Sequence, residues 1–171
     1  MSVIQIAHGG GGKLLGELIR EVFIKRFDNS ILNGMDDAAI IKAASLKLTF
    51  TTDSYTVKPL FFPGGDIGRL AVCGTVNDLL MRGAVPLFLS ASLIIEEGFE
   101  IEQLKAVADS MAEAYQEAGV RIVTGDTKVV GRGETDQLFI NTSGVGITAS
   151  NVDISIKNAC PSDSVIISGT I

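Results

Sequence analysis

Only Lys42–Ser45 separates the apolar stretch Ala39–Ile41 from the alternating run Leu46–Thr52. Connections this short favour antiparallel over parallel pairing, which needs a crossover of a dozen or more residues. Further strand-like runs are Val3–Ala7, Leu87–Ile95, Val120–Val123, Leu138–Ile147 and Ser164–Ser168. Helical spacing marks Lys13–Phe27, the stretch from Ile67 to about Met81 with Asp66 placed as its cap, and Glu100–Ala118 closed by Gly119. Strands and helices intermingle, and several strand pairs have short connections. The expectation is an α+β chain built as a two-layer α/β sandwich with a mixed, mainly antiparallel sheet.

The 171 residues are 46% hydrophobic, enough for one ordinary core. A net charge of −6 argues against nucleic acid or an anionic membrane surface as partner, since both need clustered Lys and Arg. No run approaches the ~18 apolar residues of a membrane span. Met1–Ala7 lacks the basic and apolar regions of a signal peptide, and Cys73 and Cys160 are too few for a disulfide framework, so a cytoplasmic setting is expected. Nineteen glycines against four prolines, clustered at Gly9–Gly12, Gly64–Gly68, Gly131–Gly133 and Gly144–Gly146, suggest loops shaped to approach a ligand closely.

The familiar phosphate motifs are absent. Gly12-Lys13 lacks the Gly at position 7 and the Ser or Thr at position 14 that a P-loop requires. Gly144-Val-Gly146 has dinucleotide-fingerprint spacing, but no convincing helix follows. The single histidine, His8, cannot build a multi-histidine metal site and reads as a surface residue.

Aspartates carry the chemistry that remains. Asp36 and Asp37 precede an apolar stretch, Asp53 and Asp126 read as strand ends, and Asp78 follows Asn77 within a helix of small and apolar residues. Converging carboxylates repel unless a hard divalent cation neutralises them, and Mg²⁺ would let an acidic protein hold a polyphosphate. Taken singly, each has a plainer role as turn residue or strand terminator. Lys128 shares a face with Asp126 in an extended segment, and could donate to a phosphoryl oxygen or merely pair with Asp126. Gly64-Gly65 could offer backbone N–H groups to an anion or form an ordinary turn.

These segments also carry a resemblance. The runs Thr51-Thr-Asp-Ser-Tyr55, Pro59-Leu-Phe-Phe-Pro-Gly-Gly-Asp-Ile-Gly-Arg-Leu-Ala-Val-Cys-Gly-Thr-Val-Asn-Asp78, Ala7-His-Gly-Gly-Gly-Gly12, Asp36-Asp-Ala-Ala39 and Thr124-Gly-Asp-Thr-Lys-Val-Val130 resemble, in order and spacing, HypE. This is the NiFe-hydrogenase maturation family of the aminoimidazole-ribonucleotide-synthetase-like superfamily. The resemblance covers nearly the whole chain.

It implies an N-terminal ATP-binding and dimerisation domain over residues 1–150, PurM-like and pairing through its sheet, with residues 151–171 opening a truncated second domain. It implies ATP with Mg²⁺ and an ATP-dependent dehydration of a thiocarboxamide on the protein's own C-terminal cysteine. The product is a thiocyanate, the source of the iron's cyanide ligand. Implied partners are a second copy, the carbamoyltransferase HypF and the HypC–HypD complex. Metal–phosphate roles fall on Asp36, Asp37, Asp53, Asp78 and Asp126. Nucleotide contacts fall on Thr52, Gly64, Gly65, Asn77 and Thr124, and proton transfer or phosphate contact on Lys128. Cys160 precedes Pro-Ser-Asp-Ser and is not the terminal cysteine, so this portion is expected to be inactive by itself. The alternatives are a non-catalytic dimerisation and docking module, or another superfamily member: selenophosphate synthetase, thiamine-monophosphate kinase or AIR synthetase.

Overall fold

The computed structural model describes residues 4–10, 12–167 and 169, and divides into two compact units, Met1–Met35 and Asp36–Ile171. The first is helical. A 3-10 turn, Ile6–Gly9, precedes α1 (Lys13–Leu18), a π-helical segment Ile19–Ile24 and α2 (Lys25–Phe27). The helix expected over Lys13–Phe27 is thus present, widened in its middle. Glu21 and Lys25 pair one turn apart, and the Phe23 and Phe27 rings stack with centroids 6.2 Å apart. The strand expected over Val3–Ala7 does not form. Val3 lies outside the described residues, and the Gln5 backbone N–H donates to His8 Nδ1 at 3.1 Å, which closes a local turn instead.

The second unit holds a five-stranded sheet of β1 (Ala39–Ala43), β2 (Leu46–Tyr55), β5 (Ala84–Glu96), β6 (Arg121–Val130) and β7 (Leu138–Thr148), in the order β1-β2-β7-β5-β6. A separate small hairpin pairs β3 (Phe61–Phe62) with β4 (Gly65–Asp66). Only β5 and β6 run parallel, and α4 (Ile101–Glu117) supplies their crossover. The other ladders are antiparallel, as expected. α3 (Ile67–Met81) starts where Asp66 Oδ1 accepts from the N–H groups of Gly68 and Arg69, at 2.6 and 3.1 Å. α4 ends in a Schellman motif. Gly119 adopts φ +66°, Val120 N–H donates to the Tyr115 carbonyl, and Gly119 N–H to that of Gln116.

Both helices cover one face of the sheet. Ile67, Val72, Val76, Val107 and Met111 pack against Leu89, Ile95, Leu138 and Ile140 in a single core. Gly68 is where α3 and α4 touch: a Cβ there would stand 2.5 Å from the Val107 carbonyl oxygen. β7 alternates strictly between buried and half-buried positions, which divides the sheet into a covered face and an open one. Several expected boundaries change, and β5 begins at Ala84 where Leu87 was expected. β2 runs past Asp53 to Tyr55 and β6 past Asp126 to Val130, because each keeps ladder partners on its neighbour. No strand forms at 164–167, where Val165 is 93% exposed with nothing to pair against. Residue 168 lies outside the described residues. No helix among the described residues is long and apolar enough to cross a membrane.

Candidate functional site

On the covered face, β2 supplies Asp53 and α3 supplies Asp78 beside Thr51, and the turn before β1 brings the Asp37 backbone to the same threonine. By strand parity Thr51, Asp53 and Tyr55 face the helices. The Thr51 hydroxyl lies 3.1 Å from the Asp37 carbonyl and 3.1 Å from Asp78 Oδ2, so one proton serves two acceptors. Asp78 is half-buried, and burial is the main reason its carboxyl titrates above the usual range. The charges of Asp53 and Asp37 push the same way, and the Thr51 hydrogen bond opposes them. Tyr55 is pushed up to about 12, chiefly by burial, with Asp53 and Asp78 adding to the effect. Its hydroxyl meets Thr75 Oγ1 at 3.3 Å, Thr75 meets Thr142 at 2.5 Å, and Thr142 donates to the Ala71 carbonyl at 2.9 Å. That buried chain ties α3 to the sheet at the level of Asp78.

Asp36 does not join the cluster. Its Oδ2 lies 3.0 Å from Arg82 Nη1, and its Oδ1 accepts from Ser155 Oγ at 2.8 Å. Arg82 is buried, and the N–H of Nη1 is not aligned on the carboxylate. Nε and Nη1 therefore have no hydrogen-bond partner among the described residues, and charge rather than directed bonding holds the pair. Expected as a metal ligand, Asp36 instead has both oxygens committed, while Asp37 is exposed.

Asp126 and Lys128 lie elsewhere, for a reason of register. β6 pairs Ile122 with Leu89 but Thr124 with Ser90, so Val123 is an extra residue, a bulge. Ile122 packs toward the core. Without the bulge Thr124, Asp126 and Lys128 would follow it under the helices; with it they emerge on the open face. There Thr52, Ser143, Ser90 and Thr124 form one row across four strands, and Ser54, Asn141, Ser92 and Asp126 form the next. Ser143 Oγ donates to Thr52 Oγ1 at 2.9 Å. Lys128 Nζ pairs with Asp126 Oδ2 at 3.0 Å, and this ion pair holds the Asp126 carboxyl below its usual range. Gly125, just before Asp126, is required by space, since a Cβ would collide with the Ala91 carbonyl oxygen.

Gly64 and Gly65 form a turn, with Gly64 at φ +93°. The N–H of Ile67 already donates to Leu60 O at 2.9 Å, and those of Gly68 and Arg69 to Asp66. Asn77 is exposed and lines a shallow groove of about 240 Å³ between α3 and α4 with Cys73 and Ala114, apart from the Thr51 cluster.

Among the described residues no three His, Cys, Asp or Glu side chains close on one point as a ready-made metal site. The oxygen donors of Asp37, Asp53 and Asp78 nonetheless suit Mg²⁺, which commonly takes one or two carboxylates and completes its shell with water and phosphate. Sequence reasoning missed Thr51, Tyr55, Arg82 and Ser155. Thr51 was open to detection, since it stands two residues from Asp53 on one strand and therefore on the same face.

The family described as AIR synthase related protein, N-terminal domain, matches residues 35–148. The chain belongs to the AIR synthase related N-terminal domain family. Several of its relatives carry the name HypE. The chain is 52% identical over 168 residues to carbamoyl dehydratase HypE of Rhizobium leguminosarum bv. viciae, covering 98% of this chain and 48% of that protein. The crystal structure of a HypE–HypF complex superposes with a TM-score of 0.79 at 62% identity, over 84% of this chain and 46% of that one. That of HypE in complex with ATP gives 0.60 at 51% identity, over 86% and 44%. The chain spans about half the length of the curated relatives it matches. This AIR synthase related domain therefore shares the α/β fold of its family, with the acidic cluster on the covered face of the sheet.

Proposed function

We propose that this chain is the ATP-binding half of a HypE-type carbamoyl dehydratase, which activates a thiocarboxamide on its own C-terminal cysteine with ATP and dehydrates it to a thiocyanate for the cyanide ligands of a NiFe hydrogenase. The observation that carries this reading is Asp78, bonded to Thr51 and within reach of the charges of Asp53 and Asp37, in a chain 52% identical to carbamoyl dehydratase HypE. An amide oxygen leaves poorly and a phosphate leaves well, so the task is to place a γ-phosphoryl group and spread its charge.

Asp37, Asp53 and Asp78 would hold Mg²⁺, which supplies the positive charge that lets a triphosphate approach an acidic surface. Asp78 gains most from this, because a cation offsets the partial burial of its carboxyl and the repulsion from Asp53 and Asp37. Lys128 offers its ammonium to a phosphoryl oxygen, with Asp126 fixing its position. Thr52 and Thr124 present hydroxyls from the same row of the open face.

Two copies pair through that open face in this reading. The row of hydroxyls adjoins an apolar band in which Phe50 is 41% and Val85 65% exposed, and a partner would cover both. Residues 1–150 form the nucleotide-binding and pairing domain, and 151–171 lead into the remainder of the protein. HypF and the HypC–HypD complex are its partners, and the cytoplasm its site of action. Calorimetric titration with ATP, with and without Mg²⁺, tests the reading. Magnesium-dependent binding is expected, while pairing without any nucleotide heat would point to a docking module instead.

A further inference from the structure

The Asp36–Asp37 turn is held from two sides by α3 and its end. Asp78 faces the Asp37 carbonyl through Thr51, and Arg82, four residues later, grips Asp36 at 3.0 Å. One helical turn thus sets where Asp37 stands relative to Asp78. The second hold on Asp36 comes from a different part of the chain. Ser155 donates its single hydroxyl proton to Asp36 Oδ1 at 2.8 Å and accepts from Lys157 N–H at 3.3 Å, capping the 3-10 turn Ile156–Asn158. Its bonding capacity is divided between the acidic turn and the segment that follows β7.

That segment is itself fastened down. Lys47 Nζ donates to the carbonyls of Ser150 and Val152, at 2.8 and 3.0 Å. Gly83, at φ +65° just past Arg82, leaves room for Val152 and Ile154, and a Cβ there would stand 2.6 Å from Val152 Cγ1. Residues 150–155 therefore run as a strap from the start of β2, past the end of α3, to Asp36.

We propose that Arg82 and Ser155 are positioning residues. They clamp Asp36 so that Asp37 is presented to Asp53 and Asp78, and they couple that presentation to the strap, so that displacing residues 150–155 loosens the acidic cluster. The nucleotide part of this proposal rests on reading the cluster as the Mg²⁺–ATP site. The clamp stands on the contacts alone.

Hydrogen exchange and calorimetry on this chain test the two parts separately. Ser155→Ala is expected to speed exchange of the amides of residues 38–43 about tenfold, the scale of losing one hydrogen bond to a charged acceptor, and to leave β7 unchanged. Ser155→Thr keeps the hydroxyl and restores protection. Lys47→Met releases the strap at its far end and gives the same local loosening. In titrations, Ser155→Ala weakens the magnesium-dependent part of ATP binding and spares the magnesium-free part. Unchanged exchange at 38–43, or equal loosening throughout β7, overturns the clamp. Local loosening in a chain whose parent form binds no Mg²⁺–ATP leaves the clamp standing and overturns its nucleotide role.

Discussion

Asp53 and Asp126 lie on strands separated by two others and point to opposite faces of the same sheet. Ser54, the neighbour of Asp53, shares a row with Asp126, so Asp53 itself faces the other way. Three strand spacings amount to about 14 Å. The carboxylates that stand out in the sequence therefore form two groups, one on each face of the sheet.

The raised Asp78 carboxyl gives a pH-dependent expectation. A group whose pKa is higher when folded binds more protons in the folded state, so stability falls as pH rises from the usual carboxylate value through the raised one. Asp78→Asn removes that loss. Its melting temperature should match the parent's at low pH, where the parent's carboxyl is neutral like the variant's amide, and exceed it at pH 7. ATP hydrolysis by the complete protein should be abolished in the same variant. Unchanged turnover would remove Asp78 from the site.

Lys128→Ala should lower kcat far more than it weakens ATP binding. Loss of one donor to a developing phosphoryl charge commonly costs about 10²–10³ in rate. The Lys128–Asp126 pair is exposed on the open face, so the melting temperature should hardly move. Steady-state kinetics with titrated ATP separate the two effects, and an equal loss in both contradicts the assigned role.

Asp36→Ala and Asp37→Ala should part company. Removing Asp36 strands the Arg82 charge in a buried setting and should cost about 3 kcal/mol of stability, read from the denaturant midpoint. Asp37 is exposed, so its removal should leave stability near the parent's and weaken magnesium-dependent ATP binding.

Gly125→Ala should destabilise the chain by about 1–3 kcal/mol, because the added methyl meets the Ala91 carbonyl across the β5–β6 ladder. Exchange protection should drop first in β6, the edge strand. Uniform loss across β2 and β7 would show that the contact is not local.

Much of this was legible in the residues. The Asp66 cap and the Gly119 stop each act within a few residues, and each places a helix end as expected. What was not legible depended on pairing. The sequence shows Ile122, Thr124, Asp126 and Lys128 at even spacing, which parity alone puts on one side. Only the ladder with β5 reveals the extra residue at Val123 that separates Ile122 from the rest. Asp36 and Asp37 are likewise indistinguishable by type. Their roles diverge because Arg82 and Ser155, distant along the chain, arrive beside only one of them.

The extra residue at Val123 makes this stretch sensitive to length rather than to side-chain identity. An exchange of Val123 for another residue leaves the phase of β6 intact, whereas an indel of a single codon between Ile122 and Thr124 would swing the ammonium of Lys128 beneath the helices. The position is thus defined by its place in the count of β6 and not by the side chain it carries.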